Sequence, residues 1–346
     1  MASGAQGRTE DFRIPAHARS RNEGGFGLKK GQTVVNDMIR PQKLSWKNYL
    51  KRYGTLYLLL LLPIVFFVVF RYMPMAYILG AFKQNNIIKP PWEVAWAKNN
   101  GMEWFIKAFK NRDFIYALRN TITLNLLDLV IGFPAPIILA LLLNELTLKR
   151  FKRITQTIVY LPHFLSWIII SGLALRLLAP NDGLFNIILQ RWGFEAIPFL
   201  NKPNYWVGTY VALGVWKEAG WNTIIYLAAL TAISPELYEA AAVDGAGRFR
   251  RMWHVTLPGL RPTIITLLIM NLGRILGSEF DRPYALSNKL VTSVSNTISI
   301  FVYQNGIKGS QFSLTTAVGL FQSVIGVFFL LGANKIAKHF GERGVW

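Results

Sequence analysis

Residues 54–70, 154–175 and 309–334 contain no Asp, Glu, Lys or Arg. Each run is about as long as a helix must be to cross a hydrocarbon layer roughly 30 Å thick, which takes some 17–25 apolar residues. The competing explanation is a soluble protein with deeply buried helices. Three such runs, joined by further apolar stretches only briefly broken by charge, exclude it. The chain is also 52% hydrophobic, above the roughly 45–50% usual for soluble domains, so the expected class is an all-α, polytopic membrane protein.

Six transmembrane helices are predicted: 54–72, 115–143, 154–178, 205–233, 261–276 and 312–336. Pro63 predicts a kink in the first, and Pro134 and Pro136 interrupt the second. Upstream, 44–53 mixes Trp46, Tyr49 and Tyr53 with Lys43, Lys47, Lys51 and Arg52, the make-up of an interfacial segment. Residues 1–40 are polar and read as disordered. Between spans three and four, Asp182 is expected to cap a short helix that Gly193 ends. The domain reading is a basic leader at 1–53, a first span with its outer loop at 54–113, a core at 114–340 and a tail at 341–346.

The net charge of +20 would suggest nucleic acid in a soluble protein. Here the basic residues flank apolar runs, as in membrane proteins that fix their orientation by charge, so no nucleic acid partner is expected. The first 53 residues hold 11 Lys/Arg against 4 Asp/Glu. The connector at 149–153, the loop at 234–261 and the end of the chain share that bias. Both termini are therefore expected in the cytoplasm, with the first span as an uncleaved insertion signal. The 73–113 loop opposes the pattern, since it carries Lys83, Lys89, Lys98, Lys107, Lys110 and Arg112. There is no cysteine, and the four histidines fit no metal-ligand spacing, so no metal site is expected.

The most informative stretch lies between spans four and five. Ser234 and Pro235 suit the cap and first turn of a short helix. Gly245 and Gly247 interrupt it, and Arg248, Phe249, Met252, Trp253 and His254 follow as a basic and aromatic surface before Leu257-Pro258. An ordinary helical hairpin linking two spans is the alternative, and spacing alone leaves it open. Glu239-Ala240-Ala241, three residues, Gly245, nine residues, Val255, one residue and Leu257-Pro258 resembles the EAA loop of binding-protein-dependent importer permeases. The wider string 236–246 is similar to the carbohydrate branch, the relatives of the maltose and glycerol-phosphate permeases. The resemblance covers about 110–340, and the leader and first span look like those of polysaccharide, lipoprotein-type and alginate-oligosaccharide permeases.

The resemblance implies a type I ABC importer permease in the bacterial cytoplasmic membrane. It implies a second homologous permease, two ATP-binding-cassette ATPase subunits and an extracytoplasmic solute-binding protein as partners, with membrane lipid around them. Glu239, Ala240, Ala241, Asp244, Gly245, Arg248, Phe249, Leu257 and Pro258 are then the ATPase-coupling residues. The chain has no Gly-x-x-x-x-Gly-Lys-Ser/Thr loop. ATP and Mg are accordingly expected on the partner ATPases, with no cofactor and no catalytic residue here.

Ionisable and polar residues within spans are candidates for a substrate pathway, because an unpaired charge there is costly. These are Asp128, Lys217, Arg274 and Glu279 with Asn222 and Asn271, and with Trp216 and Trp221, whose faces suit sugar rings. The alternative is that they pair and hold helices together. An oligosaccharide is the expected substrate. Lys217, Arg274 and Arg282 suit a uronate carboxylate, whereas Glu218, Glu279 and Asp281 are near enough in sequence to cancel them, so the substrate's charge stays open. A membrane-embedded glycosyl or lipid transferase would need a carboxylate cluster, for which Glu279 with Asp281 is the only candidate. An ion-gradient-driven transporter is the other alternative, but its usual duplicated halves are not seen.

Overall fold

The computed structural model describes residues 46–277, 279–339 and 341. The leader to residue 45 and the tail 342–346 lie outside the described residues. Contacts divide the chain after Phe70. In the first unit one helix runs Trp46–Phe67, and its large apolar side chains are exposed. At its start Tyr49 meets Trp46, Tyr53 and Tyr57, with the Tyr49–Tyr53 ring centroids 4.8 Å apart.

The rest is helical among the described residues, with one isolated antiparallel bridge, Lys83 to Trp96. Four stretches are long and apolar enough to cross a membrane: Tyr49–Phe82, Arg112–Glu145, Arg248–Gly273 and Phe312–His339. The predicted third span differs from expectation. It is broken into Lys149–Phe164 and Trp167–Leu177, bent by 101°. Pro162 lies in the 3-10 turn Leu161–Phe164, and the Ser166 hydroxyl caps the new helix by accepting the Ile169 N–H. The predicted fourth span is the helix Pro203–Leu230, whose 28 residues suffice in length. Lys217, Glu218 and its small and polar residues keep it below the apolarity of the others, so six apolar spans are not all present as such.

Span five also begins earlier than the prediction of residue 261, because the helix runs through Arg248–Gly273. Its continuity depends on a π-helical turn, Met252–Thr256, placed just before Leu257-Pro258. The same device recurs at Asp128–Gly132 before Pro134 and at Val68–Tyr72 before Pro74. Proline lacks an N–H and crowds the preceding turn. Widening that turn re-pairs the carbonyls, as where the Phe133 N–H reaches the Asp128 carbonyl at 2.8 Å. The short helix Leu184–Arg191 ends as expected at Gly193, with φ +83, but Gly183 rather than Asp182 stands at its start, without a side-chain cap.

Pro203–Leu230 is the central element. Trp206, Tyr210, Gly214, Lys217, Gly220, Thr223, Tyr226 and Leu230 form its buried face, at the three- and four-residue intervals of a helix. At Gly220 a Cβ would collide with the Val159 carbonyl of the broken span, so only glycine permits that approach. At Gly208, on the same helix, nothing lies within 4 Å. Gly220→Leu should therefore lower stability by at least about 1–3 kcal/mol, the usual cost of overpacking. Gly208→Leu should leave it unchanged. Thermal unfolding of the purified variants in detergent checks this, and equal melting temperatures would refute the close contact.

Candidate functional site

Two places combine exposed or cavity-facing polar groups with defined geometry. The first is the elbow between Pro203–Leu230 and the stretch Arg248–Gly273. Pro235–Val243 begins where the Ser234 hydroxyl accepts the Glu236 N–H at 3.3 Å. It ends at Gly245, whose φ of +75 lies in the left-handed region. The Ala246 N–H returns to the Ala241 carbonyl at 2.9 Å and the Gly245 N–H to the Ala242 carbonyl at 3.1 Å. This pair of bonds is a Schellman cap, and it requires glycine or a similarly permissive residue at that position. Gly247 then precedes Arg248–Arg251. Tyr238 donates its hydroxyl to Thr256 at 3.1 Å, which pins the elbow to the base of the next span.

Of the residues assigned to coupling, Glu239, Ala240, Asp244, Arg248, Phe249 and Pro258 are exposed, and Ala241 and Leu257 are half-buried. Phe249 is 83% exposed, and Val243 and Trp253 are exposed as well, three large apolar side chains within the elbow. Soluble surfaces seldom present such side chains together unless a partner covers them.

The second place is a cavity of about 590 Å³ among the Arg112–Glu145, Pro203–Leu230 and Leu257–Gly273 helices and the segment that follows. Asp128, Asn222, Asn271, Arg274 and Glu279 line it, as does Arg282. Trp216, Lys217 and Trp221, expected beside them, do not line it. Trp221 is stacked on the His163 ring instead, with centroids 4.5 Å apart and planes 1° from parallel.

Each charge pair at this site has a backbone task. The Lys217 ammonium is buried; it donates to the His163 carbonyl at 2.8 Å and pairs with Glu218 at 2.9 Å. That carbonyl belongs to the break in span three, so the lysine satisfies an acceptor released by the bend. Glu218 also meets His163 Nδ1 at 2.9 Å. Arg282 donates to both oxygens of Asp128, at 2.8 and 3.2 Å, and to the Tyr210 carbonyl at 2.6 Å. Its guanidinium lies 3.6 Å from the Tyr210 ring centroid. A Cβ on Gly214 would overlap the guanidinium, so that glycine provides its room. Glu279 accepts the Trp167 Nε1–H at 2.6 Å.

The polar face of span two acts in the same way. Thr121 accepts the Ile298 N–H at 2.9 Å, and Asn125 donates to the Ile275 carbonyl at 2.7 Å. Asp128 takes Arg282 on the same face. These residues hold the stretch of short helices after Gly273 against the core. Sequence reasoning left Asp128 between a pathway role and a pairing role, and the geometry gives it both a partner and a place on the cavity wall. Trp167 and Tyr210 were not anticipated. Gly214 and Gly220 inside a long helix were the available signal of close approach.

Arg274 differs from the other cations. It lines the cavity and makes no ion pair among the described residues. The sequence had suggested that Glu279 or Asp281 would cancel Arg282, but Asp128 does so, from 154 positions away.

Breaking a buried pair is costly because it strands a charge, whereas removing both charges often is not. Asp128→Ala should therefore destabilise by about 3–5 kcal/mol. Asp128→Ala/Arg282→Met should recover most of that loss. A double-mutant cycle on thermal stability measures it, and a double variant no better than the single one would show that the pair is not coupled.

The chain was compared with known proteins. Residues 132–340 match the family described as binding-protein-dependent transport system inner membrane component. Protein LplB of Bacillus subtilis (strain 168) is 44% identical over 303 residues, covering 88% of this chain and 94% of the relative. The polygalacturonan/rhamnogalacturonan transport system permease protein YteP of the same organism is 42% identical over 291 residues, covering 84% and 90%. Among solved structures, a bacterial alginate ABC transporter in complex with an alginate pentasaccharide-bound periplasmic protein contains a chain 38% identical to this one. The two superpose with a TM-score of 0.78, covering 87% of this chain and 99% of that one. The residues matched by the family include the elbow, and the chain belongs to the family of binding-protein-dependent transport system inner membrane components, the permease subunits of ATP-binding-cassette importers.

Proposed function

We propose that this permease passes an acidic, uronate-containing oligosaccharide from an extracytoplasmic binding protein to the cytoplasm by alternating access. It does so as one half of a channel completed by a second permease. The observation that carries the acidic reading is the state of the three candidate cations. Lys217 is engaged by Glu218 and the His163 carbonyl, and Arg282 by Asp128 and the Tyr210 carbonyl. Arg274 remains as a planar donor fork on the cavity wall, suited to a carboxylate. Asn222 and Asn271 beside it suit sugar hydroxyls. The relatives agree in kind, since one carries alginate and another is named for a polymer of galacturonate.

Coupling runs through the elbow at 234–261, on the cytoplasmic side with both termini. ATP and Mg belong to the two partner ATPases, whose closure moves the elbows. Arg248–Gly273 is one helical stretch of 26 residues that begins in the elbow and ends at Arg274. Movement at the ATPase is thereby delivered to the cavity wall along a rigid element rather than through a loop.

Two experiments separate the parts of this reading. In the purified complex, Glu239→Lys and Gly245→Val should abolish the stimulation of ATP hydrolysis by substrate-loaded binding protein. The first places a repulsive charge in a docking contact, a change worth about 2–5 kcal/mol. The second puts a β-branched residue at φ +75, a strain of about 1–3 kcal/mol. Normal stimulation in both would overturn the coupling role. Arg274→Gln should reduce uptake of a uronate oligosaccharide at least ~10-fold, the loss of about 1.4 kcal/mol or more of a charge-assisted contact. A neutral oligosaccharide, if carried, should be little affected. Unchanged uronate uptake would overturn the acidic assignment and leave the importer reading intact.

A further inference from the structure

The basic loop after the first span opposes the charge bias that orients the rest of the chain, and its structure suggests why. Ile87 is 67% exposed and Ile88 93%, with Trp92 and Trp96 also largely exposed. These side chains are not left outside by a slack loop. The Asn86 side-chain oxygen accepts the Ile88 and Lys89 N–H groups, each at 2.8 Å, and fixes the turn that presents both isoleucines. Pro90 and Pro91 stiffen the following residues.

The base of the loop is equally fixed. Lys83 bridges to Trp96, its ammonium lies 4.1 Å from the Trp96 ring centroid, and its carbonyl accepts the Trp104 Nε1–H at 2.8 Å. Asn85 ties the loop to the last long helix, donating to the Ser310 carbonyl at 3.0 Å and accepting the Ser313 N–H at 3.1 Å.

Position then selects the occupant. The apolar stretch Tyr49–Phe82 ends at the residue before Lys83, so the loop begins where a stretch long and apolar enough to cross a membrane ends. A rigid tip of two isoleucines, flanked by exposed tryptophans and by lysines, is the composition of an interfacial anchor. Lys83 and Lys89 make no ion pair among the described residues. Across 83–112, six basic side chains face only Glu93 and Glu103, and Glu103 is taken by Lys107 at 2.7 Å.

We propose that the 83–112 loop is a bilayer anchor for anionic phospholipid, with Ile87 and Ile88 entering the acyl boundary and Lys83 and Lys89 binding headgroup phosphates. The excess of lysine on this loop then serves lipid binding and carries no topological instruction.

The chain has no native cysteine, which makes a depth measurement direct. Ile88→Cys carries a nitroxide in the full chain, reconstituted in nanodiscs containing phosphatidylglycerol, with Val243→Cys on the elbow as the aqueous control. The ratio of oxygen to nickel collision rates at residue 88 should exceed that of the control by about tenfold, as for a side chain some 5–10 Å into the interface. Adding Lys83→Glu and Lys89→Glu should lower that ratio several-fold. It should also fall in nanodiscs of phosphatidylcholine alone. A ratio equal to the control overturns the proposal, as does a high ratio indifferent to lipid charge and charge reversal. A label exposed to nickel until substrate-loaded binding protein is added would make this a protein-docking surface and equally overturn it.

Discussion

Backbone that leaves the helical ladder inside a bilayer has no water to turn to, and each stranded carbonyl or N–H costs several kcal/mol unless the protein supplies a partner. Two of the places where this chain leaves the α-helical ladder are 161–166 and the stretch of short helices after Gly273. Both departures are met by side chains from other spans. Lys217 answers the His163 carbonyl, Asn125 the Ile275 carbonyl and Gln322 the Leu276 carbonyl, while Thr121 receives the Ile298 N–H. The polar residues that interrupt the apolar spans are thus the condition for having such departures at that depth. The segment after Gly273 in turn forms one wall of the cavity, through Arg274, Ile275, Gly277, Glu279 and Arg282.

The charges follow from the same constraint. A buried ammonium or guanidinium needs a counter-charge, so Glu218 accompanies Lys217 and Asp128 accompanies Arg282. Gly214 and Gly220 let the backbones and the guanidinium come close enough for these contacts. Once the structural pairs are set aside, the cavity has a much smaller set of groups left for a substrate. Arg274, Asn222 and Asn271 are the main ones.

Outside the break at Pro162, proline is accommodated within long helical stretches. Each of three prolines, Pro74, Pro134 and Pro258, follows a π-helical turn that absorbs the missing hydrogen bond. At Pro258 this keeps the elbow and the cavity wall on one helical stretch.

Local signals in the sequence determined much of this protein. Uncharged runs marked membrane spans because the bilayer admits little else. Ser234, Pro235 and Gly245 marked the ends of the elbow helix because a cap and a left-handed turn depend on a few adjacent residues. The spacing from Glu239 to Pro258 was enough to place the chain in its family. What required the tertiary structure were the pairings across long separations. Asp128 and Arg282 lie 154 positions apart, and Trp167 and Glu279 lie 112 apart. In sequence Arg282 stands nearest Asp281 and Glu279, and that proximity misled. The break in span three was hidden as well, since an apolar run reads alike whether straight or bent, and Pro162 alone does not say that a lysine on another helix will satisfy the carbonyl released. Periodicity and caps act over one or two turns, whereas a buried charge chooses its partner by distance in space, and only the folded packing sets that distance.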